Sequence, residues 1–376
     1  MQTTAAATVR LVSMALRDFR NVTHAELVVP PAGVVIVGDN GHGKTNLLEA
    51  VAYLGSLRSM RNARDRDLVR HGVATAYVRG GVDEGAPREI SIGIEGATGR
   101  KRISVDGVVV PRQIDALGVL PSVSWSPTDV ALVAGPPSER RRYLDIMLAL
   151  SSRAYVTALR QYRAALDRRN ATIRAMPRGF PRGHGDSAVA AWEPALAQHG
   201  AVLVAARRAW AEEHGADFAR LCDAIGEPIA AALAYESDAA GADDPASRIA
   251  ELLQRERARD VQRGLTSVGP HRDDLAISLG AHDARTFGSA GQQRTAAIAL
   301  RLLEARTLRA NGRGHPVLLL DDPFAELDAR RITRTLALLA GEDVGQVVLA
   351  VPREEEIPPH FQRLARWRVH DGEVAT

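Results

Sequence analysis

Short runs with a polarity period near two mark the first third of the chain, runs with a period near 3.6 begin at Ser138, and helix and apolar strands alternate toward the end. Val9 to Leu16 alternates roughly in polarity and predicts a strand, and Ala25 to Val29 predicts a second, stopped by Pro30-Pro31. Between them Arg17-Asp18-Phe19-Arg20-Asn21 reads as a polar turn, either a solvated loop or an arm that carries Arg20 to a nearby ligand. Val34 to Val37 is a continuous β-branched run and predicts a buried strand; Asn46 to about Leu57 predicts a helix. Thr75 to Gly80, Glu89 to Ile94 and Arg102 to Val110 predict short antiparallel strands joined by glycine turns, with Asp106-Gly107 as a hairpin signal.

From Ser138 the period becomes helical. Tyr155, Leu159, Tyr162 and Leu166 share one face, and so do Trp192, Leu196, His199, Leu203, Ala206 and Trp210. A loop rich in Pro, Gly and Arg, Met176 to Ser187, separates these stripes, which predicts a short antiparallel helical hairpin. Pro194 must begin or kink its second helix. His199 reads as a core or boundary residue, because no second metal-type ligand stands at a fixed spacing from it. Ser237 to Ser247 is small and acidic, hence a loop. Leu275 to Leu279, Val317 to Leu320 and Gln346 to Ala350 predict strands, and Thr295 to Arg309 a strong helix. The chain is read as α/β: a lobe of 1–125 plus 265–376, with an all-strand part, and an inserted helical lobe of 126–264.

Composition narrows the setting. The 376 residues are 45% hydrophobic and 25% charged, with no apolar run near the ~18 residues of a membrane span. The Ala-rich start carries Arg10 and Arg17 and does not read as a signal peptide, and Cys222 is the single cysteine, so a reducing, cytoplasmic setting is expected. The net charge of +3 is mildly basic, and Lys44 and Lys101 are the only lysines.

Lys44 sits in the stretch that organises the chemistry. Gly38-Asp39-Asn40-Gly41-His42-Gly43-Lys44-Thr45 fits G-x-x-x-x-G-K-[ST] between a predicted strand and a helix opening at Asn46. Gly38, Gly41 and Gly43 let successive N–H groups turn inward around nucleotide phosphates, and the helix N-terminus adds its positive end. Lys44 is the point charge for the β/γ oxygens and Thr45 is placed to ligate Mg²⁺; the plainer alternative is a glycine turn that only joins strand to helix. The run Val317 to Leu320 ends in Asp321-Asp322, which suggests Asp321 as a Mg²⁺ ligand opposite Thr45 and Asp322 as the group that orients attacking water, or else as a helix cap. Gly288-Ser289-Ala290-Gly291-Gln292-Gln293 precedes the strong helix, so Ser289 and Gly291 lie at a second N-terminus suited to anions. Arg58, Arg61 and Arg64 cluster on a connecting segment, read either as contacts to DNA phosphates or as a solvated face paired with acids.

In this order, Leu16 to Asn21, Gly38 to Thr45, Arg58 to Leu68, Ser126-Pro127 with Arg140 to Asp145, Gly269 to Asp274, Ser289 to Gln292, Asp321-Asp322 and Glu326-Leu327-Asp328 span nearly the whole chain. Together they resemble the ABC-type ATPase heads of the SMC-like class and, within it, the RecF family of bacterial DNA replication and repair ATPases. The resemblance implies an ATP-binding head that dimerises, with Ser289, Gly291 and Gln292 closing in trans over ATP bound to the partner's loop and Asp328 in the loop that crosses the interface. It also implies double-stranded DNA and single-strand/double-strand junctions as partners, RecO- and RecR-type mediators, recombinase loading at gaps, and slow turnover, since Asp322 stands where many ABC enzymes have Glu. No glutamine is evident near Ser124 and no histidine follows Gln346 to Ala350. Competing readings are a transporter-type nucleotide-binding subunit and an ATP-binding scaffold without DNA activity.

Overall fold

A computed structural model describes residues 9–176, 186–310, 314–324, 327–341 and 345–376. In chain order the elements are β1 (Arg10–Phe19), β2 (Val22–Val28), β3 (Gly33–Val37), α1 (Lys44–Ser56), β4 (Thr75–Asp83), β5 (Pro87–Glu95), β6 (Lys101–Val105), β7 (Val108–Val109) and β8 (Ser122–Trp125). Then come α2 (Ala131–Ala134), α3 (Pro137–Ser151), α4 (Arg153–Ala175), α5 (Asp186–Ala190), α6 (Glu193–Ile225), β9 (Ala231–Glu236), α7 (Pro245–Arg263), β10 (Asp274–Leu279), β11 (His282–Asp283) and α8 (Ala284–Phe287). The chain ends with α9 (Ala290–Leu308), β12 (Val317–Asp321), α10 (Ala329–Gly341), β13 (Val347–Val351), β14 (Ala365–His370) and β15 (Glu373–Ala375).

These fall into two units, one of Met1–Asp129, Ala224–Gly226 and Ala297–Thr376, the other of Val130–Asp223 and Glu227–Ala296. In the first, a six-stranded sheet runs β15-β14-β3-β13-β12-β8, parallel from β14 to β8, with β15 antiparallel at its edge. All five residues of β3 and of β13 are buried, as their unbroken apolar sequences require of strands covered on both faces. A second sheet, antiparallel, runs β2-β1-β4-β5-β6-β7 and closes β6 onto β7 through Asp106-Gly107, both at positive φ. Helix α1 packs on strands of both sheets, and its Leu47, Leu48, Val51 and Leu54 join a common core with Leu11, Leu16, Ile36 and Val348. The Gln346 side chain, 1% exposed, stitches β1 to the loop after β2 by bonding Leu11 N, Leu11 O and Pro30 O, each at 2.8 Å. Gly33 has no room for a side chain: a Cβ there would stand 1.8 Å from Val347 O.

In the second unit α4 and α6 form the expected hairpin, with Tyr155 Oη accepting from Arg207 at 3.0 Å. Pro194 sits in the first turn of α6 and does not kink it. The buried stripe of α4 differs from the expected one: Tyr155, Ala158, Tyr162, Ala165, Arg169 and Ile173 face inward, while Leu159 and Leu166 are half-buried. The expected loop Met176 to Ser187 lies, from 177 to 185, outside the described residues.

The domain boundary read from the sequence needs correction. Residues 265–296, assigned there to the nucleotide lobe, belong to the helical unit. The cause is long-range pairing: β10 ladders with β9, and Arg140 grips the Asp274 carboxylate with two bonds of 2.7 and 2.6 Å. The turn Gly269 to Asp274 is woven into this unit. Arg207 donates to Asp145 Oδ1 and Pro270 O at 2.7 Å, Tyr235 to Asp273 Oδ2 at 2.5 Å, and Tyr162 to His271 Nδ1 at 2.6 Å.

Candidate nucleotide site

Because β3 is buried and ends at Val37, the chain must turn at Gly38, and it re-enters regular structure at Lys44. Gly43 caps α1 in a left-handed conformation, φ 116°, that disfavours any side chain, and a Cβ there would meet Asn21 Oδ1 at 2.8 Å. Asn21 braces the loop from outside, donating to His42 O at 3.1 Å and accepting from Asn46 Nδ2 at 2.7 Å. Gly41, also at positive φ, has open space where a Cβ would be. Asp39 and Asn40 are exposed on the loop.

The Lys44 ammonium, 6% exposed, folds back onto the loop and donates to Gly38 O at 2.5 Å, Asp39 O at 3.0 Å and Asn40 Oδ1 at 3.4 Å. Burial draws its pKa below the usual lysine value, against the pull of Asp321, Asp322, Asp39 and Glu356. Thr45 Oγ1 donates to Asp321 Oδ2 at 2.8 Å. Asp321 closes β12, and burial raises its pKa, with Thr45, Lys44 and Arg61 opposing. Asp322 is also raised, by burial first and then by Glu356, with Lys44 opposing. Its backbone is left-handed, φ 47°, while its N–H still bonds Ala350 O at 2.9 Å. A non-glycine residue held there stores strain, of the kind that gathers at functional sites. The site therefore gathers a cationic loop, a hydroxyl and two acids, a set suited to a nucleotide phosphate with a hard divalent ion.

A third layer lies behind the loop. Glu49, fully buried on α1, accepts from Arg20 Nε at 2.9 Å, Arg20 Nη2 at 3.1 Å, Ser59 Oγ at 2.5 Å and Arg61 Nη2. Burial pushes its pKa up, but these donors prevail and the net shift is downward. Arg20 also donates to Asp67 O at 2.9 Å, so its guanidinium is committed to Glu49 and to the segment after α1. Arg61, 40% exposed, reaches Asn46 Oδ1 at 2.5 Å as well; Arg58 and Arg64 are exposed. Sequence reading missed Glu49, although a carboxylate inside the apolar run Leu47 to Val51 is a signal that a buried partner waits for it.

In the second unit Ser289 opens α9 with a reciprocal cap: Gln292 N donates to Ser289 Oγ at 3.3 Å and Ser289 N to Gln292 Oε1 at 2.9 Å. Ser289 is exposed and Gly291 half-buried beside it, while Gln292 Nε2 holds Glu227 Oε1 at 3.1 Å. Asp328 caps α10 by accepting from Arg331 N at 2.9 Å; Glu326, in the motif read before it, lies outside the described residues. No helix among the described residues is long and apolar enough to cross a membrane.

The family model described as RecF/RecN/SMC N terminal domain matches residues 10–357. A protein named DNA replication and repair protein RecF from Roseiflexus castenholzii is 36% identical over 389 residues, covering 96% of this chain and 98% of its own. A protein of the same name from Frankia alni is 37% identical over 379 residues, covering 97% and 98%. The structure of the recombination mediator protein RecF with ATP in the RecFOR pathway matches with a TM-score of 0.89 at 27% identity, over 100% of this chain and 99% of that one. The Smc head domain of Pyrococcus furiosus shares the fold at a TM-score of 0.54 and 16% identity, over 97% and 95%. With matches over nearly its whole length and the phosphate loop facing Asp321-Asp322, the chain has the ABC-type ATPase head fold and belongs to the RecF family.

Proposed function

We propose that this chain is an ATP-dependent DNA-binding protein of replication and recombinational repair. ATP on the phosphate loop drives two copies together on double-stranded DNA or single-strand/double-strand junctions, and slow hydrolysis releases them. The observation that carries the reading is the 2.8 Å contact of Thr45 Oγ1 with Asp321 Oδ2, which brings the glycine loop and the acid pair together. The names of the relatives support the repair setting, the likeness to a recombination mediator of the RecFOR pathway supports mediator proteins of the RecR/RecO type as partners, and ATP in that matched structure supports the nucleotide.

Thr45 and Asp321 present hard oxygen donors side by side and fit Mg²⁺, which when bound would neutralise charge on the β- and γ-phosphates. Lys44 then exchanges the carbonyls of Gly38 and Asp39 for phosphate oxygens, and loop N–H groups from Gly38 to Thr45 take the rest. Asp322 holds a water in line with the γ-phosphorus and takes its proton as the P–O bond to ADP breaks; its raised pKa makes it the better base. Ser289, Gly291 and Gln292 of one copy close on the γ-phosphate held by the other, and Asp328 lies in the loop that crosses the interface. Arg58, Arg61 and Arg64 contact DNA phosphates.

Light scattering of the purified chain with and without ATP and Mg²⁺, repeated with a gapped duplex at two salt concentrations, tests this. A monomer-to-dimer shift with ATP and tighter, salt-sensitive DNA binding are expected, and Ser289→Arg abolishes the shift while binding of one ATP per chain survives. ATP-driven dimers of that variant equal to wild type would refute the trans arrangement, and absence of DNA binding at either salt would refute the repair reading.

A further inference from the structure

We propose that His42, His370 and Asp371 form a site for one Zn²⁺ ion on the outer side of the phosphate loop, independent of the Mg²⁺ expected at Thr45 and Asp321. His42 Nδ1 and Asp371 Oδ1 are 3.0 Å apart, His370 Nε2 and Asp371 Oδ2 are 3.6 Å apart, and one ligand atom from each residue lies within 4.8 Å of the others. Ligands at about 2.0–2.1 Å around a tetrahedral Zn²⁺ stand roughly 3.3–3.4 Å from one another. One carboxylate oxygen therefore stands near ligand spacing from each imidazole, Oδ1 from His42 and Oδ2 from His370, and the ion draws the exposed His370 ring in to complete the set. The donor set of two imidazoles and one carboxylate suits Zn²⁺ and disfavours Mg²⁺, which prefers oxygen.

The backbone holds this arrangement before any ion arrives. Asp371-Gly372 forms the two-residue turn between β14 and β15, both at positive φ, and Gly372 N–H donates to His42 O at 2.9 Å. Asn21 grips the same carbonyl at 3.1 Å; the two imidazole rings stack at 4.6 Å with 23° between planes, and the exposed His370 ring leaves that stack to reach the ion. Asp371 N–H also donates to His42 Nδ1 at 3.0 Å, a bond the ion displaces when it takes that nitrogen. His370 and Asp371 are 80% and 78% exposed, which leaves coordination positions for water and gives the ion an open approach. Because His42 stands inside the phosphate loop between Gly41 and Gly43, an ion that ties it to the β14–β15 turn restrains the loop, and Zn²⁺ and nucleotide affinities become reciprocally coupled.

The test is titration of the full chain with Zn²⁺ in competition with a chromophoric chelator, repeated with His370→Ala and Asp371→Asn. Both positions are exposed, and retained melting temperatures check that the variants fold. One equivalent of Zn²⁺ is expected, with affinity at least tenfold weaker in each variant, and affinity for a fluorescent ATP analogue in excess Mg²⁺ shifts at least twofold with Zn²⁺ in the wild type only. Uptake equal in wild type and both variants would place the ion on others of the eleven histidines and overturn the site, as would no stoichiometric uptake. An analogue affinity indifferent to Zn²⁺ would overturn the coupling.

Discussion

Thr45 and Asp321 meet through a 2.8 Å hydrogen bond across 276 residues of sequence. The hydroxyl is the best-placed partner of a carboxylate that burial pushes toward its neutral form. Asp321→Ala should therefore leave the free chain as stable or slightly more so, while lowering Mg²⁺-dependent ATP affinity at least about tenfold. Binding of a fluorescent ATP analogue with Mg²⁺ and with a chelator checks this; equal affinities with Mg²⁺ in variant and wild type would refute the role.

Asp322 is expected to act on the reaction and not on binding. Asp322→Asn keeps the shape and the strained backbone but removes the base, so turnover should fall by about 10²- to 10⁴-fold with ATP affinity within a few-fold of wild type. Single-turnover hydrolysis alongside equilibrium binding separates the two.

Glu49 links α1 to Arg20, Ser59 and Arg61. Glu49→Gln should cost about 2 kcal/mol, below the ~3–5 kcal/mol of a fully buried pair because Arg20 and Arg61 are 21% and 40% exposed. Its pKa is lowered in the folded chain, so its stabilisation is complete above the unfolded carboxylate pKa of about 4.3 and is lost as pH falls through the lower folded value. Urea unfolding at neutral and acid pH should show the wild-type advantage shrinking across that window.

His271 adds to the same acid-side loss over a higher pH window. Burial drives its pKa to about 4, with Arg272 and Arg141 adding to the effect against the Thr266 and Asp260 contributions. The neutral ring accepts from Tyr162 at Nδ1 and donates from Nε2 to Thr266 O at 3.1 Å. Between the unfolded value of about 6.5 and the folded one, the unfolded chain binds the extra proton, so stability falls as pH is lowered, by up to ~1.4 kcal/mol per pH unit. His271→Gln should lower stability at pH 7 and flatten that dependence, read from urea midpoints between pH 7 and 5.

The parts legible in the sequence were those whose cause is local. Gly38 to Thr45 declares itself because the strand before it, the turn and the helix after it are contiguous, and Asp321-Asp322 because two acids end an apolar strand. Asp106-Gly107 specifies its hairpin for the same reason. Glu49 and Gln346 were not legible, since nothing adjacent in sequence reveals that Arg20 and Arg61, or Leu11 and Pro30, converge on them. Strands β8, β9, β14 and β15 were missed as well; β14 carries arginines among its apolar positions, and the Asp371-Gly372 turn signal beside it went unread. The boundary at 265 failed because Asp274 is claimed by Arg140, 134 residues earlier, and not by its neighbours.

Strand β3 has a consequence for how the protein is made. Its two neighbours in the sheet are β13 and β14, which begin at Val347 and Ala365, so 309 residues lie between the end of β3 at Val37 and the start of its nearer partner. At about 5–20 residues per second a ribosome needs roughly 15–60 s to supply that partner. Until then five consecutive buried residues, Gly33 to Val37, have no strand to pair with on either side, and the phosphate loop they carry has no frame. The strand that carries the phosphate loop thus stays unpaired until β13 emerges, and competence to bind nucleotide waits for Val347 and the residues after it.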